Sequence, residues 1–339
     1  MDETMQAMVF DGASPILAPT RVLVPAPGAG QVRVRVSACG VCRTDLHVVD
    51  RELPHPKPAL IPGHEIVGRV HAIGPGVVGL RLGQRVGVPW LGHTCGQCRF
   101  CQSGRENLCD TPLFHGYTRD GGYAEFVIAD ADYCFDIPEG YDDEHAAPLL
   151  CAGLIGYRTL RMAGEAHRIG IFGFGAAAHI VTQIATAQGR TIFAFTKKGD
   201  RSAQQLALDV GATWAGDSNE APPETLDAAL IFAPDGALVP RALATVDKGG
   251  TVVCGGIHMT DIPSFPYRQL WDERRLVSVA NLTREDGKAL MTAAAAYPLS
   301  IHTTSYPLTE ANTALQDLRT GRLTGAAVLR IDTPRPTDP

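Results

Sequence analysis

Apolar residues recur along this chain with two different spacings, and the change from one to the other divides it. Val32-Arg33-Val34-Arg35-Val36 alternates with period two, the mark of a strand with one face on a core and one toward water. Further short apolar runs, punctuated by Gly and Pro, predict strands at 65–72, 85–88, 123–128 and 133–137. From about residue 168 the rhythm alters. Residues 169–172 read as a buried strand and 176–188 as a helix, with Ile180 and Ile184 on one face and Gly189 closing it. A strand at 191–195 and a helix at 202–210 follow, with Gly211 as the stop. Strands at 228–232 and 251–254 flank a helix at 237–246, and 276–282 supplies a last strand. Strands alternating with helices at this spacing predict a parallel, doubly wound sheet. Beyond about 295, a helix at 308–320 and a strand at 325–331 leave that pattern. The expectation is an α/β protein of two domains: a β-rich one over 1–153, completed by 295–339, and the doubly wound one over 154–294.

Composition narrows the classes of function. The chain has 339 residues, 45% of them apolar, and a formal net charge of −6. No run of Lys or Arg forms a stripe, which argues against a nucleic-acid partner. The first residues are acidic and lack the apolar centre of a signal peptide, and the longest weakly polar stretch, 146–156, is too short to cross a bilayer. A cytoplasmic enzyme without a membrane partner is the expectation. Nine cysteines sharpen it, because an odd number in a long chain without an export signal points to metal binding or catalysis rather than to disulfides.

Four of the nine crowd together as Cys95-x2-Cys98-x2-Cys101-x7-Cys109. The short spacers curl the backbone, the longer one closes it, and Gly96 and Gly104 permit the tight turns. Four thiolates without an open position make a structural zinc site; an iron–sulfur cluster is the rival reading.

A second constellation is spread along the chain. Cys42 and His64 are suited to zinc, and a third ligand is needed; Cys151 is an isolated cysteine where the two spacings meet. Two thiolates and a neutral imidazole balance the charge of zinc and leave one coordination place free. Such an ion is a Lewis acid that makes a bound hydroxyl acidic. The stretches Gly40-Val-Cys-Arg-Thr-Asp-Leu-His47, Gly63-His-Glu65, Asp120-Gly-Gly-Tyr-Ala-Glu125, the four-cysteine lobe and the Cys151 segment are similar to those of the zinc-dependent medium-chain alcohol dehydrogenases. The similarity runs essentially end to end.

That resemblance implies a GroES-like catalytic domain joined to a Rossmann domain, and a catalytic zinc on Cys42, His64 and Cys151. It implies that Asp45 fixes the His64 tautomer and that Glu65 is the carboxylate able to approach the ion during ligand exchange. An alcohol must lose a proton before its carbon gives up a hydride. Thr44 can pass that proton through the nicotinamide ribose to His47, whose kind of side chain titrates near neutrality. Trp90 matches a position that narrows the substrate channel. Arg43 and Arg284 match positions that neutralise the cofactor pyrophosphate.

Gly173-Phe174-Gly175-Ala176-Ala177-Ala178 follows a strand and opens a helix, as a dinucleotide-binding turn does. Where the second strand ends, the usual ribose-binding carboxylate is absent and the chain reads Thr196-Lys197-Lys198, which leans from NAD toward NADP. The whole therefore reads as a zinc enzyme, with two zinc ions per chain, passing hydride between NAD(P) and a small alcohol or aldehyde. By the same resemblance it is a homo-oligomer, a dimer or tetramer. A non-catalytic protein on this scaffold would lack the open-site residues, all of which are present here. Polyol and formaldehyde dehydrogenation are further alternatives that nothing in the sequence favours.

Overall fold

The alternating Val and Arg of residues 32–36 lie in a long strand, Gln31–Val41, which is the spine of the first unit. In the computed structural model, which describes residues 3–54, 59–323 and 325–331, Val32, Val34 and Val36 are fully buried. They pack with Met8, Phe10, Ile66, Val70, Val127 and Leu329, each such side chain contributing about 1.5–3 kcal/mol of burial free energy. Arg33 and Arg35 stay half-buried, their guanidinium groups over the Phe126 ring. Across the sheet the strands run Thr303–Pro307, Ala326–Arg330, Gln31–Val41, Glu65–Ile73, Arg85–Val88 and Phe135–Asp136, with Phe126–Asp130 also paired to Gln31–Val41. A hairpin of Thr4–Val9 with Ala18–Leu23 lies beside them. Contacts group residues Met1–Cys151, Thr283–Met291 and Ile301–Pro339 as this unit.

The second unit comprises Ala152–Leu282 and Thr292–Ser300. Its six strands, Trp214–Asp217, Thr191–Thr196, Arg168–Phe172, Leu226–Ile231, Val246–Cys254 and Arg275–Ser278, lie side by side in that order and are all parallel. In chain order this is third, second, first, fourth, fifth, sixth, the arrangement of a Rossmann fold. Buried on both faces, its strands are nearly continuous in Ile, Phe, Ala and Leu. Gly189, at φ +81°, ends the helix Ala176–Ala187 as its sequence position required. Among the described residues no helix is long and apolar enough to cross a membrane.

Several predicted elements shift. The 133–137 strand shrinks to Phe135–Asp136, because Ala131–Tyr133 winds into a 3-10 turn, and the 123–128 strand starts at Phe126. The last strand of the parallel sheet stops at Ser278. The chain first returns to unit one at Thr283, earlier than 295. The helices Ala152–Met162 and Arg284–Ala296 and the strands Trp214–Asp217 and Thr303–Pro307 had no clear periodic signal. The Pro-rich C-terminus falls outside the described residues.

Candidate active site and metal centres

The four cysteines of the lobe converge. Sulfur–sulfur distances are 3.5 Å for Cys95–Cys109, 3.6 Å for Cys98–Cys101 and 3.9 Å for Cys95–Cys101. A tetrahedron of Zn–S bonds of about 2.3 Å has an edge of about 3.8 Å, so one ion fits among them. Backbone N–H groups of Cys98 and Thr111 donate to the sulfurs of Cys95 and Cys109. Gly96 and Gly104 take φ of +68° and +69° to make these turns. Backbone N–H groups of Gln97 and Cys98 draw the Cys95 thiol down to about 6, while burial pushes Cys101 up to about 11. None of the nine cysteines is in a disulfide.

The second group is assembled where the long strand turns into the helix Arg43–Val49. Cys42 caps that helix: its sulfur accepts the Thr44 backbone N–H at 3.3 Å, and Asp45 returns the favour by accepting the Cys42 N–H at 2.9 Å. Strand Glu65–Ile73 begins next to His64, whose Nε2 lies 3.2 Å from the Cys42 sulfur. Cys151, ending the turn Ala147–Leu150, brings its sulfur to 3.9 Å from that of Cys42. Ligand atoms of Cys42, His64, Cys151 and Glu65 all lie within 4.8 Å of one another. A shared zinc asks for about 3.8 Å between sulfurs and about 3.6 Å between sulfur and nitrogen. The donor set therefore fits one zinc, with Glu65 as a fourth neighbour.

Burial and close neighbours shift every titratable donor in this pocket. The Cys42 thiol is held well below its ordinary range, first by its hydrogen bond with Cys151 and then by His64 and Thr44, whereas Cys151 is pushed well up by the same bond and by burial. Burial also pushes Glu65 up, reinforced by the Cys42 charge. Burial opposes a charge on His64, yet Cys42 and Asp45 together raise it. Asp45 Oδ1 approaches His64 Nδ1 to 3.3 Å, at an angle short of a hydrogen bond. Gly40 leaves the room that Glu65 occupies; a Cβ there would stand 2.0 Å from its carboxylate oxygen.

Around this centre the other expected residues are arranged as follows. Thr44 is buried, and His47 is half-buried one turn further along the same helix, engaged through Nδ1 by Glu52. Arg43 is exposed. Trp90 packs edge-on against the His64 ring at 5.0 Å and stacks on Phe114 and Tyr117 at 5.1 and 5.7 Å. Glu52, Phe114 and Tyr117 were not anticipated; Glu52 lies in the turn after the helix, and nothing in the sequence joins Phe114 to Trp90. Arg284 lies among residues of unit one. Its backbone N–H and Nε reach the buried Glu106, at 3.0 and 3.4 Å, its other arm lies 3.5 Å from Asp132, and it covers the Tyr133 ring. Two carboxylates of unit one are thus the neighbours of its partly exposed guanidinium.

In the second unit Gly173, at φ +89°, makes the tight turn, where a Cβ would come within 2.7 Å of Ala233. Gly175 caps the helix Ala176–Ala187 and has open space where its Cβ would be, so an anion can approach the first N–H groups. Phe174 is buried, and Ala176 and Ala177 are half-buried in the first helical turn. Thr196 is buried and accepts a hydrogen bond from Gln204, while Lys197 and Lys198 are exposed.

Known proteins are similar to this chain along most of its length. The profile described as "Alcohol dehydrogenase GroES-like domain" matches residues 28–139. The chain is 47% identical over 316 residues to the "Probable alcohol dehydrogenase AdhA" of Mycobacterium tuberculosis (strain CDC 1551 / Oshkosh), covering 91% of each. Its structure resembles that of acetophenone reductase from Geotrichum candidum NBRC 4597 in complex with NAD, at 28% identity, TM-score 0.86, and 97% and 98% coverage of the two chains. It also resembles a putative zinc-binding dehydrogenase from Sinorhizobium meliloti 1021 bound to NADP, at 25% identity, TM-score 0.85, and 97% and 99% coverage. Alcohol–carbonyl oxidoreduction with a nicotinamide cofactor is the activity these likenesses carry. With the cysteine and histidine donors in place, the chain belongs to the zinc-dependent medium-chain alcohol dehydrogenase family.

Proposed function

We propose that Cys42, His64 and Cys151 hold the catalytic zinc of a reversible alcohol dehydrogenase, and that Cys95, Cys98, Cys101 and Cys109 hold a second, structural zinc. The observation carrying the first assignment is the convergence of two sulfurs and an imidazole nitrogen, from three distant stretches, to mutual distances that one ion satisfies. When bound, zinc supplies Lewis acidity toward an alcohol or carbonyl oxygen and NAD(P) supplies the hydride acceptor or donor.

The chain's own residues do the rest. Asp45 holds the Cys42 backbone with one oxygen and stands beside His64 Nδ1 with the other, orienting both donors. Thr44 and His47, three residues apart on one helix face, are the acceptor and the outlet for the substrate hydroxyl proton. Glu52 engages the His47 ring through Nδ1 and so fixes its orientation. Trp90, stacked on Phe114 and Tyr117, walls the pocket beside His64 and favours small or flat substrates. Gly173, Phe174, Gly175, Ala176 and Ala177 receive the pyrophosphate at the helix start, with Arg43 a further cation for it. Exposed Lys197 and Lys198, beside Thr196, favour a 2′-phosphate and hence NADP. Homo-oligomerisation is supported by the outer strand Arg275–Ser278, preceded by the exposed Tyr267 and Trp271.

The mechanism is tested by assaying Cys42→Ser with and without added zinc. Loss of alcohol oxidation is expected, and retained oxidation removes the assignment. A panel of alcohols and aldehydes run with NAD(H) and NADP(H) in parallel fixes substrate size and cofactor together.

A further inference from the structure

The stretch Asp120-Gly121-Gly122-Tyr123 is among the chain's most distinctive, yet none of its side chains reaches the reacting centre as a ligand or proton carrier. Its backbone is bound residue by residue to the segment that leads into His64. Asp120 Oδ1 accepts the Ile61 N–H at 3.0 Å, and Gly121 N–H donates to Ile61 O at 2.7 Å. Tyr123 N–H donates to Pro62 O and Gly122 N–H to Gly63 O, both at 3.0 Å. Four polar links thus tie 120–123 to 61–63.

Sterics reinforce the links. Gly63 has φ +97°, and a Cβ there would stand 2.4 Å from the Tyr123 ring and 2.9 Å from the Cys39 sulfur. From the other side, a Cβ on Gly121 would lie 1.9 Å from Gly63 O, and one on Gly116 would lie 2.7 Å from Gly63 N. The Gly63 peptide is therefore held between the Tyr123 ring and two glycines, with no slack on any side. Tyr123 is itself fully buried, and its carbonyl accepts the Met8 N–H at 2.8 Å, so the ring cannot retreat. Its hydroxyl has no hydrogen-bond partner among the described residues. What the site uses is the ring.

We propose that residues 120–123 are the positioning element for His64, with the Tyr123 ring as a wedge against Gly63. The inference rests on His64 being a ligand of the catalytic zinc. An imidazole must meet an ion to within a few tenths of an ångström, and the residue before it sets where its backbone starts. Movement of the Gly63 peptide misplaces His64 while leaving the four-cysteine lobe, built from a different stretch, untouched.

The test uses the full-length protein loaded with zinc and dialysed against a graded series of a competing chelator, with zinc content measured per chain. Wild type and Tyr123→Phe are expected to hold two zinc ions alike. Tyr123→Leu is expected to hold one ion as before and the other roughly 10–100-fold more weakly, with turnover restored by excess zinc. Gly121→Ala, which pushes on the same peptide from the opposite side, is expected to show the same selective loss. Cobalt substitution gives a second readout: Tyr123→Leu should alter the absorption of one of the two sites. Equal affinity in wild type, Tyr123→Leu and Gly121→Ala overturns the wedge, as does parallel loss of both ions. A wild type that binds zinc in the four-cysteine lobe alone defeats the ligand assignment itself, and the wedge with it.

Discussion

Asp45 and His64 meet at 3.3 Å with both side chains 1% exposed, and the same carboxylate accepts the backbone N–H of Cys42. One acidic group thereby orients two donors. Replacing Asp45 by Asn keeps the size and one acceptor but removes the charge that favours a proton on His64 Nδ1 and leaves Nε2 free for the ion. Asp45→Asn is expected to weaken the catalytic zinc roughly 10–100-fold. Chelator competition measures it; an unchanged affinity would mean that Asp45 serves only as a helix cap.

The four-cysteine lobe should act on stability rather than chemistry. Its described helical pieces are single turns, Arg99–Gln102 and Glu106–Leu108, too short to persist alone. Cys101→Ser is therefore expected to release one zinc ion and lower the thermal unfolding midpoint, since a structural ion's binding energy is folding energy. Turnover per remaining zinc, measured well below that midpoint, should stay within about twofold of wild type by this argument. A midpoint that does not move would show that the lobe holds its shape without metal.

Cofactor choice is open to a direct test at Lys197 and Lys198. A charge-assisted hydrogen bond is worth about 1.5–3 kcal/mol. Lys197→Ala/Lys198→Ala is thus expected to lower the ratio of kcat/KM for NADP over NAD by roughly 10–100-fold. If the ratio holds, the lysines are simply solvated and the 2′-phosphate has another partner.

His115 predicts a slope of stability with pH. Burial, aided by Arg119, draws it down to about 4. Unfolded, it titrates near its ordinary value of about 6.5. Between those values the unfolded chain takes up a proton that the folded one refuses, so stability falls as pH drops from about 6.5 to about 4. The full loss from this one residue is about 3 kcal/mol. His115→Leu should flatten that part of the profile, read as the difference from wild type in denaturant titrations at each pH. Identical slopes in the two proteins would rule His115 out as the source.

How much of this was legible beforehand depends on whether the signal was local. Val32, Val34 and Val36 alternate because one face of their strand is buried, and Ile180 and Ile184 repeat because one face of their helix is; such patterns survive without knowledge of the partners. The lobe was equally plain, since its four sulfurs lie within fifteen residues. By contrast Trp214–Asp217 is a four-residue edge strand with a glycine in it, and Thr303–Pro307 is mostly polar with no buried residue, so neither carries a period. Arg284 shows a different limit. Its charge was visible, but only the fold reveals that Glu106 and Asp132 are its neighbours.

Cys42 is at once a candidate ligand and the cap of the helix Arg43–Val49. Capture of the ion and winding of that first turn consequently draw on the same sulfur lone pairs. A serine in its place could still cap the turn while offering zinc a poor, hard donor, whereas a histidine could bind metal but leave the turn uncapped. Few residue types can meet both demands, so the place where the strand ends and the helix begins tolerates far less substitution than its half-buried position suggests.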